Sequence, residues 1–212
     1  MADAMEQPGP LVSIVGERVA LGPLRRALLP TYQRWINDFH VMRTRARPPR
    51  PVPLEAQQAE YEQLASSDTH HFFTIYECAT WRPVGDTGLM EIDHRARSAW
   101  FAITIGEPDC RGKGYGTEAT RLMLDYAFAT LGLHNVALTV YEFNLAGLRA
   151  YARAGFRECG RRRQCRWLGG RLWDEVYMDC LASEFTSPLL AQVDLPSAPR
   201  PPGDSAAPPD TP

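Results

Sequence analysis

The stretch Arg111-Gly112-Lys113-Gly114-Tyr115-Gly116-Thr117 constrains this chain more than any other. It follows Ser98 to Ile105 (SAWFAITI), an apolar run that reads as a strand, and it opens Glu118 to Leu131, whose apolar spacing is helical. Alternating glycines let the backbone take φ > 0 and approach a ligand with no Cβ in the way. A helix beginning here leaves its first N–H groups unpaired at an end carrying partial positive charge. Arg111 and Lys113 add full charges, so the stretch reads as a phosphate seat. A Walker A loop does not fit, because five residues separate Gly106 from Gly112 and Gly114 stands where a magnesium-binding hydroxyl is needed. A dinucleotide fingerprint does not fit either: the glycines are spaced G-x-G-x-G, far from a first strand. A glycine-rich turn without a ligand stays open at this point.

The 212 residues suit one domain with loose ends: residues 1–12 as a polar N-terminal stretch, 13–185 as the folded unit, and 186–212 as a Pro- and Ala-rich tail expected to be disordered. A formal net charge of −2 gives no basis for broad nucleic-acid binding. No apolar run approaches the ~20 residues of a membrane span. The first residues lack the basic and apolar regions of a signal peptide, so a cytoplasmic location is expected. Five cysteines, odd in number and without a C-x-x-C pair, read as reduced thiols with no metal site. Cys110 precedes the turn, but no partner base marks it as a nucleophile.

Along the chain, Glu17 to Leu24 has the alternation of a first strand. Arg25 to Phe39 reads as helical turns broken at Pro30, Arg43 to Pro53 as an extended Arg- and Pro-rich loop, and Leu54 to Ala65 as a helix. His71 to Glu77, Val84 to Ile92 and Ser98 to Ile105 read as an antiparallel meander. After the long helix come a strand at Asn135 to Val140, a helix capped by Asn144 and ended by Gly155, and a closing hairpin around Leu168-Gly169-Gly170-Arg171. The order predicts an α+β domain with a mixed, mostly antiparallel sheet flanked by helices.

Two ordered motifs add a resemblance. Arg111-x-x-Gly114-x-Gly116 resembles the [RQ]-x-x-G-x-[GA] loop of the GNAT acetyltransferases. Asn144 through Tyr151 to Gly155-Phe156 resembles their N-x-x-[AS]-x-x-x-Y-x-x-x-GF signature, with Gly147 at the small-residue position. Together with Gly170 to Met178 they are similar to the branch holding RimJ/RimL-type and spermidine acetyltransferases, over roughly residues 14 to 184. The resemblance implies the GNAT fold and acetyl-CoA as cosubstrate. Backbone groups of Ile103, Thr104 and Ile105 would pair with the pantetheine arm. Arg111, Gly112, Lys113, Gly114, Tyr115, Gly116 and Thr117 would hold the pyrophosphate. Asn144 would bind the arm or orient the site, Gly147 would leave room for it, and Tyr151 would protonate the departing thiolate. A buried core aromatic is the alternative for Tyr151.

The acceptor is expected to be a primary amine, on a protein N-terminus or a small molecule. It must be neutral to attack, whereas a Lys-like amine is mostly protonated at pH 7. Where many of the branch read S-A-E-L-G-I, this chain reads Ser98-Ala99-Trp100-Phe101-Ala102-Ile103, so the frequent acidic residue is replaced by Trp100. Glu91 and Asp93 are the substitute carboxylates; His70 and His71 are weaker candidates. Arg43, Arg45, Arg47 and Arg50 beside Trp35 and Tyr61 do not suit a polycation. A monomer or homodimer is expected. The rival reading is a non-catalytic coenzyme A-binding sensor or interaction module of the same fold.

Overall fold

The computed structural model describes residues 9–45 and 49–186. The expected loose N-terminus in residues 1–8, part of the Arg- and Pro-rich loop (46–48) and nearly all of the expected disordered tail (187–212) lie outside the described residues. Eight strands make one sheet: β1 (Ile14–Val15), β2 (Val19–Pro23), β3 (His71–Glu77), β4 (Pro83–Asp93), β5 (Ser98–Ile105), β6 (Asn135–Tyr141), β7 (Arg157–Leu168) and β8 (Arg171–Leu181). They lie in the order β1-β2-β3-β4-β5-β6-β8-β7. Every neighbouring pair is antiparallel except β5 with β6, which is parallel. The mixed sheet is the expected one; the two-residue β1 was not expected.

Helices cover both faces. α4 (Tyr115–Asp125) packs with α5 (Leu145–Ala154) over one face, closing a core that includes Val19, Leu21, Ile75, Leu89, Phe101, Met123, Val136 and Val176. α1 (Leu29–Asn37), α2 (Phe39–Thr44) and α3 (Leu54–Ala65) form a layer on the other face, where Leu29, Tyr32 and Trp35 make a smaller cluster. The Tyr32 hydroxyl bonds the Thr74 hydroxyl of β3, which ties this layer to the sheet.

Three local readings are corrected. Pro30 does not break a helix; it sits in the first turn of α1, where its missing N–H has no intrahelical partner to lose and its fixed φ suits the entry. Arg43 and Thr44 are helical, because the Asp38 side chain caps α2 by accepting from the His40 and Val41 N–H groups. The helix after the glycine loop starts earlier than expected, at Tyr115, and from Tyr126 to Thr130 it widens into a π turn. The closing hairpin is as read: Gly169 and Gly170 both take positive φ at its tip, as a two-residue primed turn requires. No helix among the described residues is long and apolar enough to cross a membrane.

The helix layer docks on the end of β5. A Cβ on Gly106 would lie 2.2 Å from the Trp35 ring, and the Trp35 indole N–H donates to Glu107 at 2.8 Å. Gly106→Ala overpacks this contact, at about 1–3 kcal/mol. A thermal melt is expected to show Tm lowered by roughly 3–8 °C; an unchanged Tm would show that Trp35 moves aside freely.

Candidate active site

β5 and β6 pair only at Ser98 with Asn135, Ala99 with Val136 and Trp100 with Ala137. Beyond Trp100 the strands diverge, while β4 stays paired to β5 as far as Ile105. Phe101 to Ile105 therefore hold a sheet partner on one side and a cleft on the other. Backbone N–H and C=O groups turned into such a cleft need partners. The expected residues Ile103, Thr104 and Ile105 lie in this stretch. An extended amide-bearing chain fits the opening as a strand fits a sheet edge.

The glycine loop closes one end of the cleft. Gly112 (φ 75°) and Gly114 (φ 86°) hold left-handed conformations that a side chain adopts only under strain. Gly114 is the N-cap of α4, with no side chain capping it, so the first N–H groups of the helix are available to an anion. A Cβ on Gly114 would also meet the Arg18 guanidinium at 2.8 Å. Arg18 is fixed there by Glu118, through an Nε–Oε2 bond of 2.9 Å, and donates to the Lys113 carbonyl at 3.1 Å. Gly116 is helical, its carbonyl accepting from Thr120 at 2.6 Å, and Thr117 follows inside the same first turn. Lys113 is exposed, and the Tyr115 hydroxyl donates to Glu77 at 2.6 Å.

Arg111 is used differently from the expectation. Its Nε donates to the Ile105 carbonyl at 3.2 Å and its Nη2 to the Gly106 carbonyl at 3.0 Å, with Asp38 3.6 Å away. The guanidinium thus fixes the end of β5 and ties it to the N-terminus of α2. Cys110 is buried beside Arg82, and burial pushes its thiol up, so it is not an activated nucleophile.

α5 supplies the other wall. Asn144 caps it, its Oδ1 accepting from the Gly147 N–H at 3.0 Å. At Gly147 a Cβ would strike the Asn144 side chain at 2.8 Å, so the missing side chain also makes room for the cap. Asn144 keeps its Nδ2 for another partner. Tyr151, two turns on, packs edge-on against Phe101, with ring centroids 6.2 Å apart, and against Phe156 at 6.1 Å. Phe101 is the first residue past the last β5–β6 pair, so Tyr151 stands where the strands part. Burial pushes its phenol up to about 12. A phenol in that state keeps its proton throughout the physiological range and is a donor.

On the helix-layer face the two expected carboxylates separate. Asp93 accepts the N–H groups of Arg95 and Ala96, both at 2.8 Å, and so serves the turn after β4. Glu91 sits where the β4–β5 register slips, with φ of 51°, and lines a cavity of about 220 Å³ with Ser98, Trp100, Asn135 and Ala137. A bulge re-aims a side chain in this way, and positive φ at a non-glycine residue marks strain that surrounding structure maintains. His71 bonds the Tyr126 hydroxyl at 2.8 Å and His70 the Ser67 and Thr69 hydroxyls, so neither joins this cavity.

Sequence reasoning missed Asp86. It pairs across the sheet with Thr74 on one side and Thr104 on the other, and so shares their helix-layer face. No described residue donates a hydrogen bond to its carboxylate. Burial pushes Asp86 up to about 6; Arg45 pulls it back and Glu60 pushes it further. A half-buried carboxylate whose pKa is raised, one strand from a cleft, is a candidate functional group.

The Acetyltransferase (GNAT) domain family matches residues 18–157, and the chain belongs to that family. It is 31% identical to the spermidine N(1)-acetyltransferase of Escherichia coli over 138 residues, 65% of this chain and 72% of that protein. It is 32% identical to the probable N-acetyltransferase YjcK of Bacillus subtilis over 116 residues, 55% of this chain and 64% of that one. Among solved structures, spermidine N-acetyltransferase from Vibrio cholerae in complex with CoA and spermine superposes with a TM-score of 0.73 at 26% identity, covering 80% of this chain and 98% of that one.

Asp86 also makes a stability prediction. Its folded pKa lies above the ordinary aspartate value, so the folded state binds the proton more tightly than the unfolded chain does. Stability therefore falls as pH rises from about 4 to 6 and stays reduced above that range. Asp86→Asn is expected to raise Tm by several degrees at pH 7.5, with the gap closing near pH 4, in paired thermal melts. A lowered Tm at pH 7.5 would mean that the carboxylate has a stabilising partner.

Proposed function

We propose that this protein moves an acetyl group from acetyl-CoA to a primary amine, by direct attack of the amine on the thioester. The observation that carries the reading is the juxtaposition of three features: a strand cleft opening at Phe101, a glycine-built anion seat at its end, and a protonated Tyr151 at the parting point. When bound, acetyl-CoA supplies the activated acyl carbon. The chain's own residues do the rest. Free N–H groups of α4 and the backbone around Gly112 and Gly114 receive the pyrophosphate, with Lys113 adding charge. Arg111 acts indirectly, by holding the Ile105 and Gly106 carbonyls in place. The backbone of Ile103 to Ile105 pairs with the pantetheine arm, and Asn144 Nδ2 serves the same arm.

Tyr151 Oη holds a proton for the sulfur that departs. Its raised pKa keeps it protonated, so kcat is not expected to fall through Tyr151 ionisation below about pH 11. Glu91, exposed at the rim of the Trp100 cavity, draws a cationic amine toward the site. Asp93 serves the turn through its Oδ1, which favours Glu91 over it as the group facing the amine. Retention of Tyr151 beside the opening favours turnover over a coenzyme-binding sensor. We assign the activity to residues 13–185 and place the protein in the cytoplasm, as a monomer or homodimer; a Vibrio cholerae relative is described as dodecameric.

Steady-state kinetics with acetyl-CoA and an amine panel test the reading. Tyr151→Phe is expected to lower kcat by ~10²–10⁴ with the KM for acetyl-CoA unchanged. An unchanged kcat would remove Tyr151 from its role. Glu91→Gln is expected to raise the acceptor KM a few-fold at low salt and to match wild type at high salt; a salt-independent effect would contradict steering.

A further inference from the structure

Charge is unevenly spread along this chain. The formal net charge is −2, yet residues 157–171 hold six arginines against one glutamate, a local excess of +5. They make up β7, the turn and the first residue of β8, and β7 is the outermost strand of the sheet. Two of the six are neutralised. Arg157 pairs with Glu184 at 2.7 Å, and Arg161 with Glu158 at 2.7 Å and Glu142 at 3.4 Å. Arg162, Arg163, Arg166 and Arg171 have no carboxylate within ion-pair distance among the described residues.

The strand register places three of these four on one face. Arg162 lies across from Glu175 and Arg166 across from Trp173, alternate residues of β8, and Arg171 is two residues before Trp173. Tyr141 of β6 flanks Glu175 on its other side. Two of the guanidiniums are held by rings. Arg171 lies over Trp173, its guanidinium carbon 3.3 Å from the ring centroid, and Arg166 lies over Tyr141 at 5.0 Å. Phe143 bridges the two rings, 5.4 Å from each. A guanidinium resting on a ring has given up rotamer freedom already, so pairing it costs less than pairing a free side chain. Trp167 and Leu172, exposed and paired across the strands, occupy the opposite face.

We propose that the arginine face of this hairpin is a docking surface for an acidic polypeptide segment. Charge complementarity supplies the attraction, and planar guanidinium forks match carboxylates. An extended segment with carboxylates on alternate residues presents them on one side about 7 Å apart, the same step that separates the Trp173 and Glu175 rows. Nucleic acid fits this face less well. Three arginines neutralise few phosphates, and Glu175 among them opposes a continuous polyanion. The ring faces that base stacking needs are already covered by Phe143, Arg166 and Arg171. The proposal does not rest on the acetyl-transfer reading.

The test is fluorescence anisotropy with a labelled, end-blocked peptide of alternating Glu and Ala. Its controls are the Gln-Ala counterpart and an oligouridylate RNA of equal charge. Wild type is expected to bind the acidic peptide at least ~10-fold more tightly than either control at low salt, and to lose most of that affinity at high salt. Combining Arg162→Ala, Arg166→Ala and Arg171→Ala is expected to cost at least ~10-fold in affinity. The corresponding triple Lys variant, which keeps the charge and loses the forks, is expected to fall between the two. Arg162→Glu alone, at an exposed position, is expected to weaken binding several-fold and needs no ring contact to be disturbed. Trp167→Ser, on the opposite face, is expected to bind like wild type, and saturating CoA is expected to leave binding unchanged. Melting curves establish that each variant is folded. Equal binding by wild type and either Arg162→Glu or the triple Ala variant would overturn the surface. Tighter binding of the RNA would overturn the polypeptide as its occupant, and displacement of the peptide by CoA would assign the arginines to the coenzyme instead.

Discussion

The structure depends on a pairing that does not happen. β5 and β6 begin as neighbours and stop bonding after Trp100 and Ala137. In a closed sheet the backbone of Phe101 to Ile105 would be satisfied on both sides; here one side faces a cleft, open to water or to a bound chain. Phe101 turns toward α5 and meets Tyr151 and Phe156 in an aromatic cluster that occupies the core under the opening. The same cluster places the Tyr151 phenol beside the point where the strands part.

A second constraint ties the two faces of the sheet together. Glu107, just past β5, accepts from Trp35 and Arg34 of α1, and Arg111 joins the last β5 carbonyls to Asp38 at the start of α2. The strand that lines the cleft and the helices of the other face are thus fixed to each other at one end. Near this corner β4 carries a positive φ at Glu91, one of four such non-glycine residues among the described ones, and a half-buried carboxylate at Asp86 that Arg45 attracts.

Much of this was legible in the residues. The glycine loop could be read because positive φ is a local demand that glycine meets and other residues resist. The strand order could be read because alternation and turn residues are local too. Arg111 and Gly147 were legible in place, but not in all their contacts: a charge beside a phosphate turn suggests a phosphate ligand, yet it does not show which carbonyls the guanidinium will also reach. A glycine near an Asn cap likewise does not show whose atoms need the room. Asp86 gave no signal at all. Its character arises only when Arg45, Glu60 and Tyr32, remote in sequence, are folded near it and none of them hydrogen-bonds it. Pro30 was taken as a breaker because its place in the first turn depends on where α1 begins, and no capping residue marks that start.

The central claim is that the glycine-built helix start and the open edge of β5 form one coenzyme site. Calorimetric titration of acetyl-CoA into wild type and into Gly114→Val tests it most directly, because a valine there is opposed both by the left-handed backbone and by the Arg18 guanidinium. Binding near micromolar in wild type, lost in a variant that still melts cooperatively, is the expected result. Equal binding by both proteins would place the coenzyme elsewhere, and no binding by folded wild type would contradict the site altogether.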